Sequence, residues 1–262
     1  MKIFISAAVV SLVLLFASCQ PELSSNDVSN GDSTQLPTYK FVLSFKGKVD
    51  NADLAFNQTY QNTFGEPYTL TTFKYYIGDI QLLNTSSGKV YNVSNKTFYL
   101  VDASDSASSN ITLKAPVGTY DAINFTIGVD SIYNVSGAQS GDLDPAKGMF
   151  WTWNTGYIMA KMEGASPLSD LPNNRIQFHI GGFKTGESVV RNISLALPDG
   201  RTLAISSQGD SKVVINADAN KWFYNPHDIR IADTAVCMTP GVLATSIADN
   251  YAKMFSVVSV TN

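Results

Sequence analysis

Short segments in which apolar and polar residues alternate recur along the chain, and this pattern constrains its fold most. The run from Tyr39 to Val49 places Phe41, Leu43 and Phe45 on one face. A period of two residues is typical of a half-buried β-strand. Roughly eight to twelve such segments follow one another at close spacing, with no βαβ rhythm. We therefore predict an all-β fold, a β-sandwich with long loops.

Two segments depart from this alternation. Between Ala244 and Phe255 the larger residues recur every three to four positions, which predicts one short C-terminal helix. The run from Thr71 to Tyr75 interrupts a β-rich region, and we expect a short helical or bent segment there. The irregular stretch from Ser131 to Lys147 predicts a long loop leading into the next segment.

The N-terminus has the features of a secretory signal. After Met-Lys, residues 3–16 are almost entirely apolar, too short a run to span a bilayer stably. Ala17 and Ser18 precede Cys19, as in a bacterial lipobox. We predict a lipoprotein signal peptide over residues 1–18 and lipidation of Cys19; ordinary cleavage near Ser18 is the alternative.

The rest of the chain divides into a tether and one domain. Residues 19–38 are rich in Ser, Asn, Asp and Pro, which predicts a flexible tether. Residues 39–262 are enough for a single β-sandwich domain. With Cys19 lipidated, Cys237 has no disulfide partner, and we expect a small buried residue or an idle thiol.

Composition excludes several functional classes. A net charge of −4 with only 15% charged residues argues against nucleic-acid binding. The chain has no glycine-rich phosphate loop, dinucleotide fingerprint or Gly-x-Ser-x-Gly nucleophile elbow. A carboxylate pair such as Glu163 and Asp130 stays open as a glycosidase pair, although no acidic cluster supports it. We expect a non-enzymatic protein of the bacterial cell envelope, periplasmic or at the cell surface.

The segment from Gly148 to Gly164 concentrates unusual side chains. It holds two of the three tryptophans and three of the six methionines. As a strand, it would place Met149, Trp151 and Trp153 on one face. Aromatic bulk for a core is one interpretation; a redox or metal site that adds a histidine from elsewhere is the other.

The histidine and methionine side chains favour copper as the metal, since imidazole and thioether groups are copper ligands. In the segment from Arg175 to Gly182, alternation leaves His179 on the face opposite Phe178. We predict His179 as ligand and Met149 as a soft auxiliary donor. His227, the second of two histidines, is the weaker candidate.

Ordered motifs across the chain resemble the MbnP-like domain, a copper-binding family. The resemblance spans about Tyr39 to Val260. The motifs are Lys74-Tyr-Tyr-Ile-Gly-Asp-Ile, Leu100-Val-Asp102, Gly118-Thr-Tyr120, Phe125-Thr-Ile-Gly-Val-Asp130, Gly148-Met-Phe-Trp-Thr-Trp-Asn-Thr-Gly-Tyr157, Lys161-Met-Glu-Gly164, Phe178-His-Ile-Gly-Gly182 and Ala248-Asp-Asn-Tyr251.

The resemblance implies a role in copper capture together with methanobactin, outside the inner membrane. It implies a di-haem peroxidase-like partner that oxidises a tryptophan to kynurenine, and handover of copper to an outer-membrane transporter. Trp151 or Trp153 is the implied oxidisable or ligand-bearing aromatic residue.

A second function class stays open at this point. Trp151, Trp153 and Trp222 are aromatic platforms on which sugar rings could stack. The chain would then be a surface glycan- or protein-binding lipoprotein without metal. That function requires two exposed tryptophan rings on an open face, whereas copper binding requires His179 close to Met149 or to a tryptophan of the same segment.

Overall fold

The computed structural model describes residues 36–151, 156–209 and 211–262. These residues form sixteen β-strands and two α-helices, together with short 3₁₀ turns. The strands are β1 (Thr38–Val49), β2 (Ala52–Asp53), β3 (Thr59–Gln61), β4 (Pro67–Asn84), β5 (Lys89–Asn92), β6 (Phe98–Asp102), β7 (Asn110–Pro116), β8 (Gly118–Tyr120), β9 (Ala122–Ile127), β10 (Ala160–Ala165), β11 (Arg175–Ile180), β12 (Arg191–Ala196), β13 (Leu203–Ile205), β14 (Ser211–Asp218), β15 (Val236–Cys237) and β16 (Phe255–Thr261). The helices are α1 (Ser131–Val135) and α2 (Val242–Tyr251).

The smaller of the two main sheets has five strands. β14 lies between β16 and β1, pairing antiparallel with β16 and parallel with β1. β7 and β2 pair antiparallel with different parts of β1. β8 and β13 form a separate two-stranded ribbon.

The larger sheet has nine strands and is organised around β4, which is 18 residues long. β10, β6, β9, β5 and β3 all pair antiparallel with parts of β4, while β12, β11 and β15 extend the sheet. The helical or bent segment expected over Thr71–Tyr75 is wrong. Phe73 and Tyr75 are buried and alternate with the partly exposed Thr72 and Lys74, and pairing with β10 holds this part of β4 extended.

The two sheets pack face to face through a cluster of aromatic rings. Phe45 and Phe255 come from the smaller sheet, and Tyr75 and Phe125 come from the larger. Rings of opposite sheets meet edge to face with centroids 5.0 to 6.1 Å apart. Such pairs contribute about 0.5–1.5 kcal/mol each beyond their burial. This packing confirms the predicted β-sandwich.

The short C-terminal helix is also confirmed, as α2. Its buried residues include Ala244, Ile247 and Tyr251, at helical spacing, and Tyr251 packs on Trp222 at 5.4 Å. The helix ends earlier than predicted, because Phe255 begins β16 and packs in the core between the sheets. The loop predicted over residues 131–147 holds the five-residue helix α1 and two 3₁₀ turns.

The predicted signal peptide, Cys19 and residues 20–35 of the tether lie outside the described residues. β1 begins at Thr38, one residue before the predicted domain boundary. None of the helices within the described ranges is long and apolar enough to cross a membrane. Cys237 is buried, as expected, and burial raises the pKa of its thiol to about 11.

Candidate metal site

The side of the nine-stranded sheet turned away from the smaller sheet is called the outer face below. It carries a row of four polar residues, Asp102, Lys74, Lys161 and His179, each directly opposite the next on adjacent strands. Directly opposed residues share a face. Their neighbours along the strands are buried in the core: Phe73, Tyr75, Val101, Ala160, Met162, Phe178 and Ile180. The prediction that His179 and Phe178 face opposite ways is thus confirmed.

His179 is held by the carboxylate of Glu163. Its Nε2 lies 2.6 Å from Glu163 Oε1, and its side chain is only 9% exposed. Thr72 Oγ1 donates to Glu163 Oε2 at 2.9 Å, and the Lys161 ammonium lies 3.4 Å from Oε1. The hydrogen bond from His179, with help from Thr72 and Lys161, lowers the pKa of Glu163 to about 2.

This arrangement leaves one ring nitrogen of His179 for a ligand. Within the described part of the chain, no hydrogen bond engages Nδ1. A carboxylate on one imidazole nitrogen fixes the ring and its tautomer, as it does for metal-binding histidines. Both lysines of the polar row are paired with carboxylates. Glu163 neutralises Lys161, and Asp102 neutralises Lys74 at 2.7 Å.

Trp151 covers the outer face beside His179. A Cβ placed on Gly181 would lie 2.5 Å from Trp151 Cη2 and 2.9 Å from the Tyr157 carbonyl oxygen, so the indole rests on the glycine. Pairing continues past the end of β11, since the Met159 amide donates to the Ile180 carbonyl at 2.7 Å. Residues two apart on an extended chain project to the same side. Trp151 and His179 are therefore neighbours on the outer face.

Residues 149–151 and 156–158 pair antiparallel, and this pair of segments is called the hairpin below. Phe150 and Tyr157 form an isolated bridge, and their rings meet at 5.0 Å. Lys161 Nζ donates to the Gly148 carbonyl at 3.0 Å, which links the start of the hairpin to the polar row. Residues 152–155, through which the strand of the sequence analysis would continue, lie outside the described residues. Alternation alone does not show that a chain turns back and pairs with itself.

The structure places the other predicted ligands differently. Met149 lies in the hairpin and is completely buried. Trp153 lies outside the described residues. His227 is 43% exposed, its Nε2 lies 3.2 Å from Asp249 Oδ2, and hydrogen bonds to Asn250 tie it to α2.

No described contact joins His227 to His179. Over the ranges that the structure describes, no group of three or more His, Cys, Asp and Glu residues is arranged to hold a metal ion. A metal bound at His179 therefore needs donors of other kinds, such as thioether, aromatic or main-chain groups.

Neither of the two tryptophans that the structure describes is an exposed platform. Trp151 is 4% exposed, and Trp222 is fully buried with its Nε1 donating to Met254 Sδ at 3.3 Å. Two of the three rings are thus closed to a sugar.

Sequence reasoning missed the parts of the site that depend on strand register. Glu163 is 16 residues from His179, and only the pairing of β10 with β11 brings them together. The contact between Gly181 and the Trp151 ring could not be predicted either, because Trp151 lies in a hairpin 30 positions earlier in the sequence.

We expect Gly181→Ala to lower the free energy of unfolding by about 1–3 kcal/mol, the usual cost of overpacking. The added methyl would meet the Trp151 ring and the Tyr157 carbonyl, and the carbonyl is backbone that cannot swing away. Urea unfolding and near-UV circular dichroism measure the loss and the shift of the indole. Gly200→Asn is the control, because that position has φ +67° with open space around it. An unchanged urea midpoint for Gly181→Ala would contradict the contact.

The ion pairs of Glu163 make the stability of the fold depend on pH in the acid range. The pKa of Glu163 is about 2 in the folded protein against 4.5 for the ordinary side chain, so its ion pairs stabilise the fold above pH 4.5. This stabilisation is lost as the pH falls from 4.5 towards 2. We expect Glu163→Gln to flatten the pH dependence of the urea midpoint in that window. The exposed Glu187→Gln should reproduce the native profile; equal profiles for all three proteins would refute the role of Glu163.

The fold and the site define a β-sandwich that presents one histidine, held by a carboxylate, beside a buried tryptophan on the outer face of its larger sheet. The MbnP family model matches residues 38–239, most of the chain. The chain therefore belongs to the MbnP family, which confirms the resemblance found in its motifs.

A solved structure has the same fold. It is MbnP from Methylosinus trichosporium, with a TM-score of 0.50 and 13% sequence identity, covering 85% of this chain and 99% of that one. At this identity the likeness concerns the fold alone. No curated protein matches the sequence.

Proposed function

We propose that this chain is an extracytoplasmic, lipid-anchored copper-binding protein that captures copper in the bacterial cell envelope. The observation that carries the proposal is the position of His179, held by Glu163 and next to Trp151 on one face of the sheet. Membership of the MbnP family supports an association with methanobactin and copper uptake.

The donor set fits a copper ion. His179 would bind through Nδ1, because Glu163 occupies Nε2. An imidazole fixed by a carboxylate and partly closed off from water is suited to hold copper. His227, which is partly exposed and paired with Asp249, is a separate and weaker candidate. The role that we propose is binding and transfer rather than catalysis.

Oxidation of Trp151 or Trp153 to kynurenine is a further part of the proposal. Kynurenine exposes an aromatic amine and a ketone, which are nitrogen and oxygen donors that an indole lacks. The oxidising equivalents would come from a di-haem peroxidase-like partner. Trp151 lies on the same face as His179, so new donors there would point towards a shared ion.

The proposed location rests on the N-terminus of the chain. A signal peptide over residues 1–18 and a lipid on Cys19 would hold the protein at a membrane through the tether. Copper would then be handed to an outer-membrane transporter. This location is periplasmic or at the cell surface.

Mass spectrometry and copper analysis of protein from its native host test the proposal. Trypsin cleaves after Lys147 and Lys161 and releases residues 148–161, which contain both Trp151 and Trp153. We expect bound copper and the kynurenine mass shift on this peptide. Copper bound to unmodified tryptophans would reject only the oxidation. Failure of the purified domain to bind copper under both oxidising and reducing conditions would reject the function.

A further inference from the structure

The segment that follows β15, at the edge of the larger sheet, places a methionine, Met238, close to His179. β15 pairs in parallel with β11, with Val236 opposite Gln177 and Cys237 opposite Phe178. Further along, the side chain of Pro240 lies 3.4 Å from a Cβ placed on Gly182. The segments that follow β11 and β15 therefore stay side by side from the Phe178–Cys237 pair to Gly182 and Pro240. Met238 lies between Cys237 and Pro240, and thus beside His179.

Alternation sets the direction of the Met238 side chain. Cys237 and Phe178 are both buried on the core side, at 5% and 1% exposure. Val236, one residue before Cys237, is 37% exposed on the other side. Met238, one residue after Cys237, projects to the same side as Val236. His179 follows Phe178 in the same way, so the two side chains share the outer face.

Met238 also differs from the other methionines that the structure describes in the access to its sulfur. Met159 Sδ accepts a hydrogen bond from the Val129 amide at 3.1 Å, and Met254 Sδ accepts one from Trp222 at 3.3 Å. Met149 and Met162 are completely buried. Met238 is only partly buried, and within the described ranges its sulfur takes part in no hydrogen bond.

We propose that Met238 is a thioether ligand beside His179 Nδ1, which makes the site selective for Cu(I). This inference rests on the proposed copper-binding function and names the oxidation state of the ion. Thioether sulfur is a soft donor that selects Cu(I), whereas Cu(II) favours nitrogen and oxygen ligands. Met238 takes the auxiliary role that the sequence alone assigned to Met149, whose side chain is closed off in the hairpin.

Silver(I), a redox-inert mimic of Cu(I), provides a direct test on the mature chain with carbon-13-labelled methionine methyl groups. We expect Ag(I) to shift the Met238 methyl resonance in NMR spectra and to leave that of Met254 in place. We expect Met238→Leu to weaken Cu(I) binding by at least about tenfold, because losing even a residue that only supports a ligand costs about tenfold to a hundredfold. Cu(II) binding should change less than threefold. Val236→Leu, an exposed neighbour on the same strand, is the matched control.

The outcomes separate this inference from the function on which it rests. A native chain that binds Cu(I), loses it on His179→Gln and keeps it on Met238→Leu would overturn the thioether ligand and leave copper binding intact. An unmoved Met238 methyl resonance at saturating Ag(I) would overturn it as well. A native chain that binds Cu(II) but neither Cu(I) nor Ag(I) would overturn this inference alone. A native chain that binds no copper under either oxidising or reducing conditions would overturn both proposals.

Discussion

Gly164→Ala is expected to lower the free energy of unfolding by about 3 kcal/mol, the upper range for overpacking a well-packed site. A Cβ on Gly164 would lie 1.8 Å from the Thr69 carbonyl oxygen and 2.9 Å from its carbon. Both atoms are backbone, so relief requires β4 and β10 to separate. No rotation of a side chain can remove the overlap.

The glycine has this effect because of a β-bulge. Pairing between β10 and β4 shifts at Glu163 and Gly164, from Thr72 opposite Glu163 to Leu70 opposite Gly164. In a β-bulge, one strand of an antiparallel pair has one more residue than its partner, and regular pairing continues on both sides. This one keeps Glu163 opposite Thr72, which donates to its carboxylate. A bulkier residue at 164 should therefore also disturb Glu163.

Urea unfolding followed by far-UV circular dichroism measures the change. Gly88→Asn is the control, since Gly88 has φ +67° in a turn with open space around it, and asparagine tolerates this backbone. We expect the control to stay within about 0.5 kcal/mol of the native protein. A loss below about 1 kcal/mol for Gly164→Ala, no more than an ordinary substitution costs, would contradict the close approach of β4.

His179→Gln is expected to weaken copper binding by roughly a hundredfold or more, beyond the range for residues that only support a ligand. Glutamine can still donate to Glu163, so the fold is preserved while the imidazole is lost. Competition against a Cu(I) chelator under reducing conditions measures the affinity, and thermal unfolding checks the fold.

His227→Gln is the matched control for this measurement. His227 is partly exposed and held by Asp249 and Asn250, in different surroundings from His179. We expect its affinity for copper to stay within about threefold of the native value, less than the tenfold that even a supporting residue costs. Loss of binding in His227→Gln with retention in His179→Gln would move the site to α2 and refute the outer-face site.

Much of the architecture followed from alternation in the sequence. The period of two residues predicts which side of a strand is buried, and for Phe178 and His179 that prediction is confirmed. The failure at Thr71–Tyr75 has a physical reason. Local residue preference there was ambiguous, and pairing with a strand far along the chain decided the conformation.

The candidate site was harder to predict, because its contacts cross between strands. Alternation gives the face of a side chain but not its register against a neighbouring strand. The sequence therefore predicted His179 and Trp151 without showing what links them. Glu163, Gly181 and Met238 come into contact or alignment with them only through the register of β10, β11 and the chain after β15.

Anomalous X-ray diffraction at the copper edge, on crystals of the copper-loaded mature domain, tests the copper site most directly. We expect one strong peak about 2 Å from His179 Nδ1, a usual metal–imidazole distance, on the outer face beside Trp151. A peak at His227 and Asp249, or no peak in crystals grown with excess copper, would contradict copper binding at His179.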